Sequence, residues 1–180
     1  MCAEMRIIMK ENTNLEKLKA GLNTAFVDYA NNSSLAYRPE FISNNYQNGK
    51  KVLSSLEYEL LHCDAFSISV AFIKMSGIEP LLQVFKQLEN RGVPGRILTT
   101  DYLTFSEPEA FDKLNSLNNI KLKMYQTEGE KDGFHTKGYI FKDGKIYRII
   151  VGSSNLTSSA ITINQEWNKK LVSSEDGSIA

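Results

Sequence analysis

The sequence predicts an α/β protein in which helices flank a mixed sheet. Segments rich in β-branched and aromatic residues alternate with segments whose apolar residues recur at helical spacing, the order typical of such a sheet. Near the end of the chain, two strand-like segments meet at Asp143-Gly144, a strong signal for a tight hairpin turn. With 180 residues, 42% of them hydrophobic, the chain is long enough for one domain with its own core.

The predicted elements follow one another along the chain. Asn14 is expected to cap a helix over Leu15–Tyr29, and Asn31 to Asn45 is expected to be a connecting loop. Further helices are predicted over 52–62, 76–90 and 108–117, and strands over 65–72, 96–100 and 120–125. We expect the first of these strands to be buried on both faces and the third to have one face in solvent. The patterns predict three parts: 1–45, a helix and loop packed on the domain; 46–172, the domain; and 173–180, a loose tail followed by more of a longer chain.

The hairpin places a histidine and a lysine on one face of a strand. If Lys142 pairs with Lys145 across the turn, His135 lies opposite Gly152, which leaves room beside the imidazole. His135 and Lys137 are two residues apart, so their side chains point to the same face.

The chain leaves the second hairpin strand through Ser153-Ser154-Asn155, small polar residues that form turns and cap helices. Backbone N–H groups, an amide and the Lys137 ammonium suit the oxygens of a phosphate, and the His135 imidazole can attack phosphorus or move a proton. Lys137, Ser153, Ser154 and Asn155 are therefore predicted to bind phosphate. A serine nucleophile with His135 as its base stays open, because nothing marks one serine above the others.

Three motifs in this order resemble those of the phospholipase D superfamily. His135-x-Lys137 is followed, seventeen residues after the histidine, by Gly152-Ser153-x-Asn155. The next motif, Asn164-x-Glu166-Trp167-Asn168, is similar to the nuclease branch: the metal-independent restriction endonucleases and the nuclease-like N-terminal domains of superfamily 2 helicases. The stretch Ser69–Phe72, with Gly77 beyond it, also resembles those domains, so the likeness covers residues 46 to 172. The family usually has an aspartate where this chain has Lys142, which weighs against the lipid-cleaving branch.

The resemblance implies a phospholipase D-like fold and a metal-independent phosphodiesterase, a nuclease that cleaves DNA through a phosphohistidine. His135 would be the nucleophile, Lys137 and Asn155 would neutralise charge on the phosphoryl oxygens, and Glu166 would orient the imidazole as in a catalytic triad. No metal and no cofactor are implied. The two-step reaction needs two imidazoles, and His62 is expected to be structural, so a homodimer sharing one cleft is predicted.

Two other functions stay open: a module that holds DNA phosphates with little turnover, serving a fused or downstream helicase domain, and, less favoured, a phospholipid-cleaving enzyme.

The formal net charge is zero, but residues 121–170 hold nine Lys or Arg against five Asp or Glu, so cations concentrate around the motifs. Two cysteines and no apolar run of membrane-spanning length predict no zinc site, disulfide framework or membrane segment, and a cytoplasmic location. Trp167 is expected in the core.

Overall fold

The computed structural model describes residues 39–101, 105–127 and 134–175. Within these ranges the strands are β1 (Glu40–Ile42), β2 (Ala65–Val70), β3 (Gly95–Thr100), β4 (Ile120–Tyr125), β5 (Lys137–Asp143), β6 (Ile146–Gly152) and β7 (Asn168–Ser174). The helices are α1 (Val52–Leu61), α2 (Met75–Ile78), α3 (Leu82–Asn90), α4 (Pro108–Asn115) and α5 (Ser158–Thr162). Short 3₁₀ segments cover Tyr46–Asn48 and Glu79–Leu81.

The seven described strands form one mixed sheet in the order β1-β7-β6-β5-β2-β3-β4. The pairs β2–β3 and β3–β4 are parallel and are joined through helices, whereas β5 joins β2 antiparallel and begins an antiparallel run through β6 and β7 to β1. The predicted α/β class, with a mixed sheet and flanking helices, is confirmed. β5 therefore lies in the middle of the sheet, between the parallel and the antiparallel halves.

The core lies between one face of the sheet and the helices. Along β2, Phe66, Ile68 and Val70 are buried, whereas the alternate residues Ser67 and Ser69 are partly exposed. The prediction that this strand is buried on both faces is wrong, because its second face borders an open groove of about 470 Å³. The largest buried side chains include Tyr139, Phe85, Phe141, Leu56, Leu60, Ile73, Ile78, Leu81 and Leu88.

A buried carboxylate ties α1 to two strands. Glu59 is only 1% exposed, and its oxygens lie 3.3 Å from Lys170 Nζ and 3.6 Å from Arg148 Nε. A carboxylate carries a large desolvation penalty in such a place unless cations compensate it. The two cations come from β6 and β7, so this cluster fixes the helix against the antiparallel half of the sheet.

The β5–β6 hairpin differs from its predicted register by two residues. Residues 144–145 form the turn, and Gly144 has a φ of +57°, a conformation that glycine adopts without a Cβ penalty. The observed pairing, extended by one residue, sets Lys137 opposite Gly152 in place of His135. Because the shift is an even number, every side chain stays on its predicted face.

The space beside Gly152 is filled by the next strand. A Cβ atom at this position would overlap the carbonyl oxygen of Trp167 and the side-chain oxygen of Asn168, which pairs with Gly152. The absence of a side chain therefore serves the close approach of β7 to β6. The sequence-based prediction that Gly152 leaves room for the imidazole is therefore wrong.

Several boundaries also differ from the predictions. Residues 40–42, predicted as loop, form β1 because they pair with β7, and residues 173–174, predicted as loose tail, complete β7. The helix predicted over 76–90 is interrupted by the 3₁₀ turn that contains Pro80, whose missing N–H cannot support a continuous α-helix. The predicted helix over 15–29 lies outside the described residues.

Candidate functional site

His135 and Lys137 lie at the N-terminal end of β5. Lys137 Nζ donates a 2.8 Å hydrogen bond to the carbonyl oxygen of His135, so the ammonium is held at the strand end beside the histidine. The His135 ring is exposed and meets Phe72 edge-on, with ring centroids 5.7 Å apart. The phenyl ring thus limits the positions of an imidazole that otherwise faces solvent.

The surroundings of His135 favour its neutral form. Partial burial and the nearby Lys137 ammonium both lower the pKa of His135 from its usual value. Partial burial also lowers the pKa of Lys137, and the negative charge of Glu166 opposes that shift. A neutral imidazole has a free lone pair, which is the form that a nucleophile or a general base requires.

Asn155 connects its loop to the chain that follows β2. Its side-chain oxygen accepts a 3.1 Å hydrogen bond from the backbone N–H of Phe72, the residue that contacts His135. A backbone N–H can only donate, so this bond fixes the orientation of the amide. Among the described residues the amide NH₂ has no acceptor, which leaves two donors for an anion. α5 is capped by Thr157, so Asn155 is not its N-cap.

Ser153 and Glu166 interact directly. The Ser153 hydroxyl donates a short hydrogen bond to Glu166 Oε2 and accepts one of 3.0 Å from the N–H of Trp167. Glu166 is largely buried and forms no ion pair or hydrogen bond with His135 among the described residues. Within one chain, Glu166 therefore orients Ser153 and acts electrostatically on Lys137.

Ser154 points away from this surface into the core. Its hydroxyl accepts a 2.9 Å hydrogen bond from Asn168 Nδ2, and its carbonyl oxygen accepts one of 2.8 Å from the Tyr139 hydroxyl. Burial raises the pKa of Tyr139, and the charge of Glu166 adds to the shift, so the phenol stays a neutral donor. The structure thus brings Ser153 and Asn155 to the surface and places the side chain of Ser154 below it.

Tyr139 is the residue of this cluster that sequence reasoning missed. It lies two residues beyond Lys137 on the same face of β5, which is the signal that would have found it. A second missed contact is the 2.8 Å hydrogen bond between the hydroxyls of Thr136 and Ser69, which holds the segment before β5 against β2.

The second histidine lies apart from this cluster. His62 follows α1, and its Nδ1 is 2.7 Å from the carbonyl oxygen of Tyr58, whose ring packs against the imidazole. These local contacts agree with a structural role. In the described part of the chain, no three His, Cys, Asp or Glu side chains are grouped so that they could hold a metal ion.

The site lies within a stretch that known proteins share. Residues 64–176 match the family described as "Cardiolipin synthase, PLD-like domain". No curated protein matches the sequence. No described helix is long and apolar enough to cross a bilayer.

Solved structures share the fold at low sequence identity. NucT from Helicobacter pylori is 17% identical with a TM-score of 0.58, and the match covers 74% of this chain and 84% of that one. Phosphatidylserine synthase from Haemophilus influenzae is 15% identical with a TM-score of 0.56, covering 77% of this chain and 35% of the enzyme. Yeast tyrosyl-DNA phosphodiesterase is 19% identical with a TM-score of 0.51, and the match covers 73% of this chain and 31% of the yeast enzyme.

Proposed function

Because this chain belongs to the PLD-like domain family, we propose that it is a metal-independent phosphodiesterase that cleaves DNA. The observation that carries the proposal is the grouping at one end of β5: an imidazole whose pKa is lowered by partial burial and Lys137, an ammonium beside it, and an asparagine amide whose two donors have no acceptor among the described residues. These groups match the two needs of phosphoryl transfer, which are a nucleophile and fixed positive partners for the phosphoryl oxygens.

The proposed reaction has two steps. A neutral His135 nitrogen attacks phosphorus, the bond from phosphorus to the leaving oxygen breaks, and that oxygen takes a proton from a second histidine, which starts as the protonated imidazolium and becomes neutral. Water then attacks the phosphohistidine and gives its proton to the second imidazole, the phosphorus–nitrogen bond breaks, and His135 is restored. The sum is hydrolysis of a phosphodiester by one water into a phosphomonoester and an alcohol.

The other site residues act on charge and orientation. Lys137 and the Asn155 amide stabilise the phosphoryl oxygens in the transition state, and Ser153, held by Glu166, completes the phosphate pocket. The hydroxyl of Ser154 is hydrogen-bonded to Asn168 in the core, so only the backbone of Ser154 is left to contribute to the phosphate pocket.

A homodimer supplies the second imidazole in this proposal. His62 is held by Tyr58 and is followed two residues later by Asp64 in place of a lysine, whereas a two-fold axis would bring two copies of His135 to one phosphate. Among the described residues Glu166 forms no hydrogen bond or ion pair with His135 of its own chain, so in this proposal it would orient the imidazole of the partner copy in the shared cleft. We place the protein in the cytoplasm, as part of a helicase or a restriction-type system.

A second candidate is a phosphatidyl-transferring or phospholipid-cleaving enzyme, which the name of the matching family favours. The same pocket would hold a lipid phosphodiester by the same chemistry. A third is a DNA-binding module with the pocket but without turnover. Trapping the phosphohistidine in a single turnover separates this module from an enzyme.

The test is cleavage of end-labelled DNA in excess EDTA. The wild type should cleave, because the Lys137 ammonium stabilises the charge that a metal ion would otherwise stabilise. His135→Ala should lose turnover by at least about 10³-fold and still bind DNA. Lys137→Met should weaken both binding and turnover. Lys142→Met, on the other face of the same strand, is the matched control and should remain active.

Three results would contradict the proposal. Activity that is lost in EDTA and restored by magnesium would exclude the histidine mechanism. Hydrolysis of anionic phospholipid vesicles in place of DNA would favour the lipid enzyme. Absence of a phosphohistidine, with DNA binding intact, would favour the module.

A further inference from the structure

An aromatic pair, Trp167 and Phe41, is exposed beside the candidate site. The Trp167 side chain is 73% exposed and Phe41 is 57% exposed, and their rings meet edge-on with centroids 6.0 Å apart. Rings of this size are normally buried, and the sequence itself predicts Trp167 in the core. Two adjacent exposed aromatic rings form a contiguous apolar patch, and such patches on a protein surface commonly mark sites that bind a partner or ligand.

The pair is anchored to the phosphate pocket. The N–H of Trp167 donates to the Ser153 hydroxyl over 3.0 Å, and its carbonyl oxygen accepts from the Ser153 N–H over 3.1 Å. Glu166, the residue before it, points inward and is largely buried, so the indole lies on the outer side of the same strand end. Trp167 and Ser153 therefore lie side by side at this strand end, so a chain whose phosphate reaches Ser153 lies beside the residue that carries the indole.

The charges around the pair suit a polyanion. Lys169 lies opposite Phe41 in the β1–β7 ladder, and Lys50 and Lys51 line a cavity of about 380 Å³ next to the same ring. Within the described residues none of these three lysines forms an ion pair, whereas the neighbouring acid, Glu40, is paired at 2.6 Å with Lys170.

Uncompensated ammonium groups disfavour the buried centre of a protein–protein interface, where charged residues are depleted. They favour a strand of nucleic acid, whose phosphates alternate with flat bases. Proteins that bind single strands combine these two features, a basic surface and exposed aromatic rings on which bases stack.

We propose that the Trp167–Phe41 pair is a stacking platform for an unpaired base next to the phosphate held at His135. The three lysines would contact the neighbouring phosphates of the same strand. This inference rests on the proposed function for the phosphate pocket, and it narrows the substrate to nucleic acid with at least one unpaired base beside the cleaved bond. A fully paired duplex presents no free base face to the indole.

The chain's single tryptophan makes the test direct, because all indole fluorescence comes from Trp167. In the His135→Ala background, to prevent cleavage, a single-stranded oligonucleotide should quench this emission. An oligonucleotide of the same length with abasic sugars carries the same phosphates and should bind about 5- to 150-fold more weakly, without quenching. The fully paired duplex should resemble the abasic strand.

Substitutions distinguish a loss of base stacking from a general loss of protein structure. Trp167→Ala should weaken binding of the single strand by the same factor and leave binding of the abasic strand unchanged, and Trp167→Phe should keep most of the affinity. Tyr58→Ala is the matched control, because Tyr58 is an aromatic residue on α1 that is as exposed as Phe41, at 57%, and packs on His62. It should not change binding of either strand.

Two outcomes would overturn the platform. Equal affinity for the normal and the abasic strand would show that phosphates alone are bound. Emission that changes with protein concentration in the absence of nucleic acid, together with a shift of Trp167→Ala from dimer to monomer in light scattering, would assign the pair to a contact between two copies. Hydrolysis of bis(p-nitrophenyl) phosphate by wild type, a diester without bases, reports on the proposed catalytic function separately.

Discussion

At the scale of single residues, the site depends on polar groups that are each held in one orientation. Asn155 can offer its amide donors outward only because its oxygen is committed to the N–H of Phe72. Ser153 is oriented in the same way, since its hydroxyl donates to a buried carboxylate and accepts from a backbone N–H. Fixed dipoles of this kind stabilise charge in a transition state without reorganising.

The protonation of His135 leads to a prediction about pH. Partial burial and Lys137 hold its pKa below the usual 6.5, so the imidazole stays neutral, and nucleophilic, to a lower pH than a free histidine. We expect the acid limb of kcat/KM to fall below pH 6.5, with activity lost as pH drops through the pKa of His135. NMR titration of the ring protons should show the same value, with His62 assigned by His62→Gln.

Lys137→Met should raise the pKa of His135, because it removes the repulsion that disfavours the imidazolium, although burial would keep part of the shift. Lys142→Met should leave it unchanged, since Lys142 lies on the other face of β5, paired with Glu175. A His135 that titrates at or above 6.5 in the wild type would contradict this account of the site.

At the scale of elements, the loop after β6 is held in place by the neighbouring strands β5 and β7. Ser154 is held by Asn168 of β7 and by Tyr139 of β5, so two strands fix the backbone that presents Ser153 and Asn155. A shift of the loop would move both surface side chains together. The precision of the site is therefore a property of the strands that flank the loop.

Tyr139→Phe tests this support. It removes one hydroxyl and leaves the buried carbonyl oxygen of Ser154 without its donor, which should lower the free energy of unfolding by about 1–3 kcal/mol. It should also raise KM for DNA, because the phosphate-binding loop loses a constraint. Denaturant titration and steady-state kinetics measure the two effects.

Tyr147→Phe is the matched control on the same hairpin. Its ring lies on the opposite face, beneath Lys142, and is partly exposed, so the unfolding free energy should change by less than about 0.5 kcal/mol. If the two variants proved equally stable, the Tyr139–Ser154 hydrogen bond would carry no measurable part of the fold.

At the scale of the whole molecule, the order of the strands places the site. β5 joins the parallel and the antiparallel halves, and the segments that follow β2 and β6 meet beside its first residue through the pairing of Ile73 with Leu156. Ligands of α/β sheets bind where the strand connections change direction. The residues brought there come from segments far apart in sequence.

The two-histidine reaction predicts a dimer with both copies of His135 on one cleft. Light scattering at the concentration used for cleavage should give twice the chain mass, and specific activity should fall on dilution through the dissociation constant of the dimer. Refolded mixtures of wild type and His135→Ala should lose activity in proportion to mixed dimers. A monomer that cleaves DNA at full rate would rule out the shared cleft.

The sequence by itself determined the class of fold, the order of the elements from α1 to β6, and the faces on which the residues of the hairpin lie; β1 and β7 were not predicted as strands. Periodicity carries this information, because alternation fixes the face of each residue in a strand and helical spacing fixes the stripe of a helix. It placed His135 and Lys137 on one face even though the hairpin register was two residues off, since an even shift preserves the face. The motif also identified Ser153, Asn155 and Glu166 as neighbours of this pair.

Only the tertiary structure decided which way each loop residue points and what covers each apolar group. Ser153 and Ser154 are equivalent as sequence, but Asn168 and Tyr139 draw one hydroxyl inward while Glu166 holds the other at the surface. Trp167 is exposed because no element within residues 39–101, 105–127 and 134–175 covers the outer side of this strand end, which its own hydrophobicity does not reveal. These outcomes depend on partners 13 or more residues away in the chain, and local propensity does not carry that information.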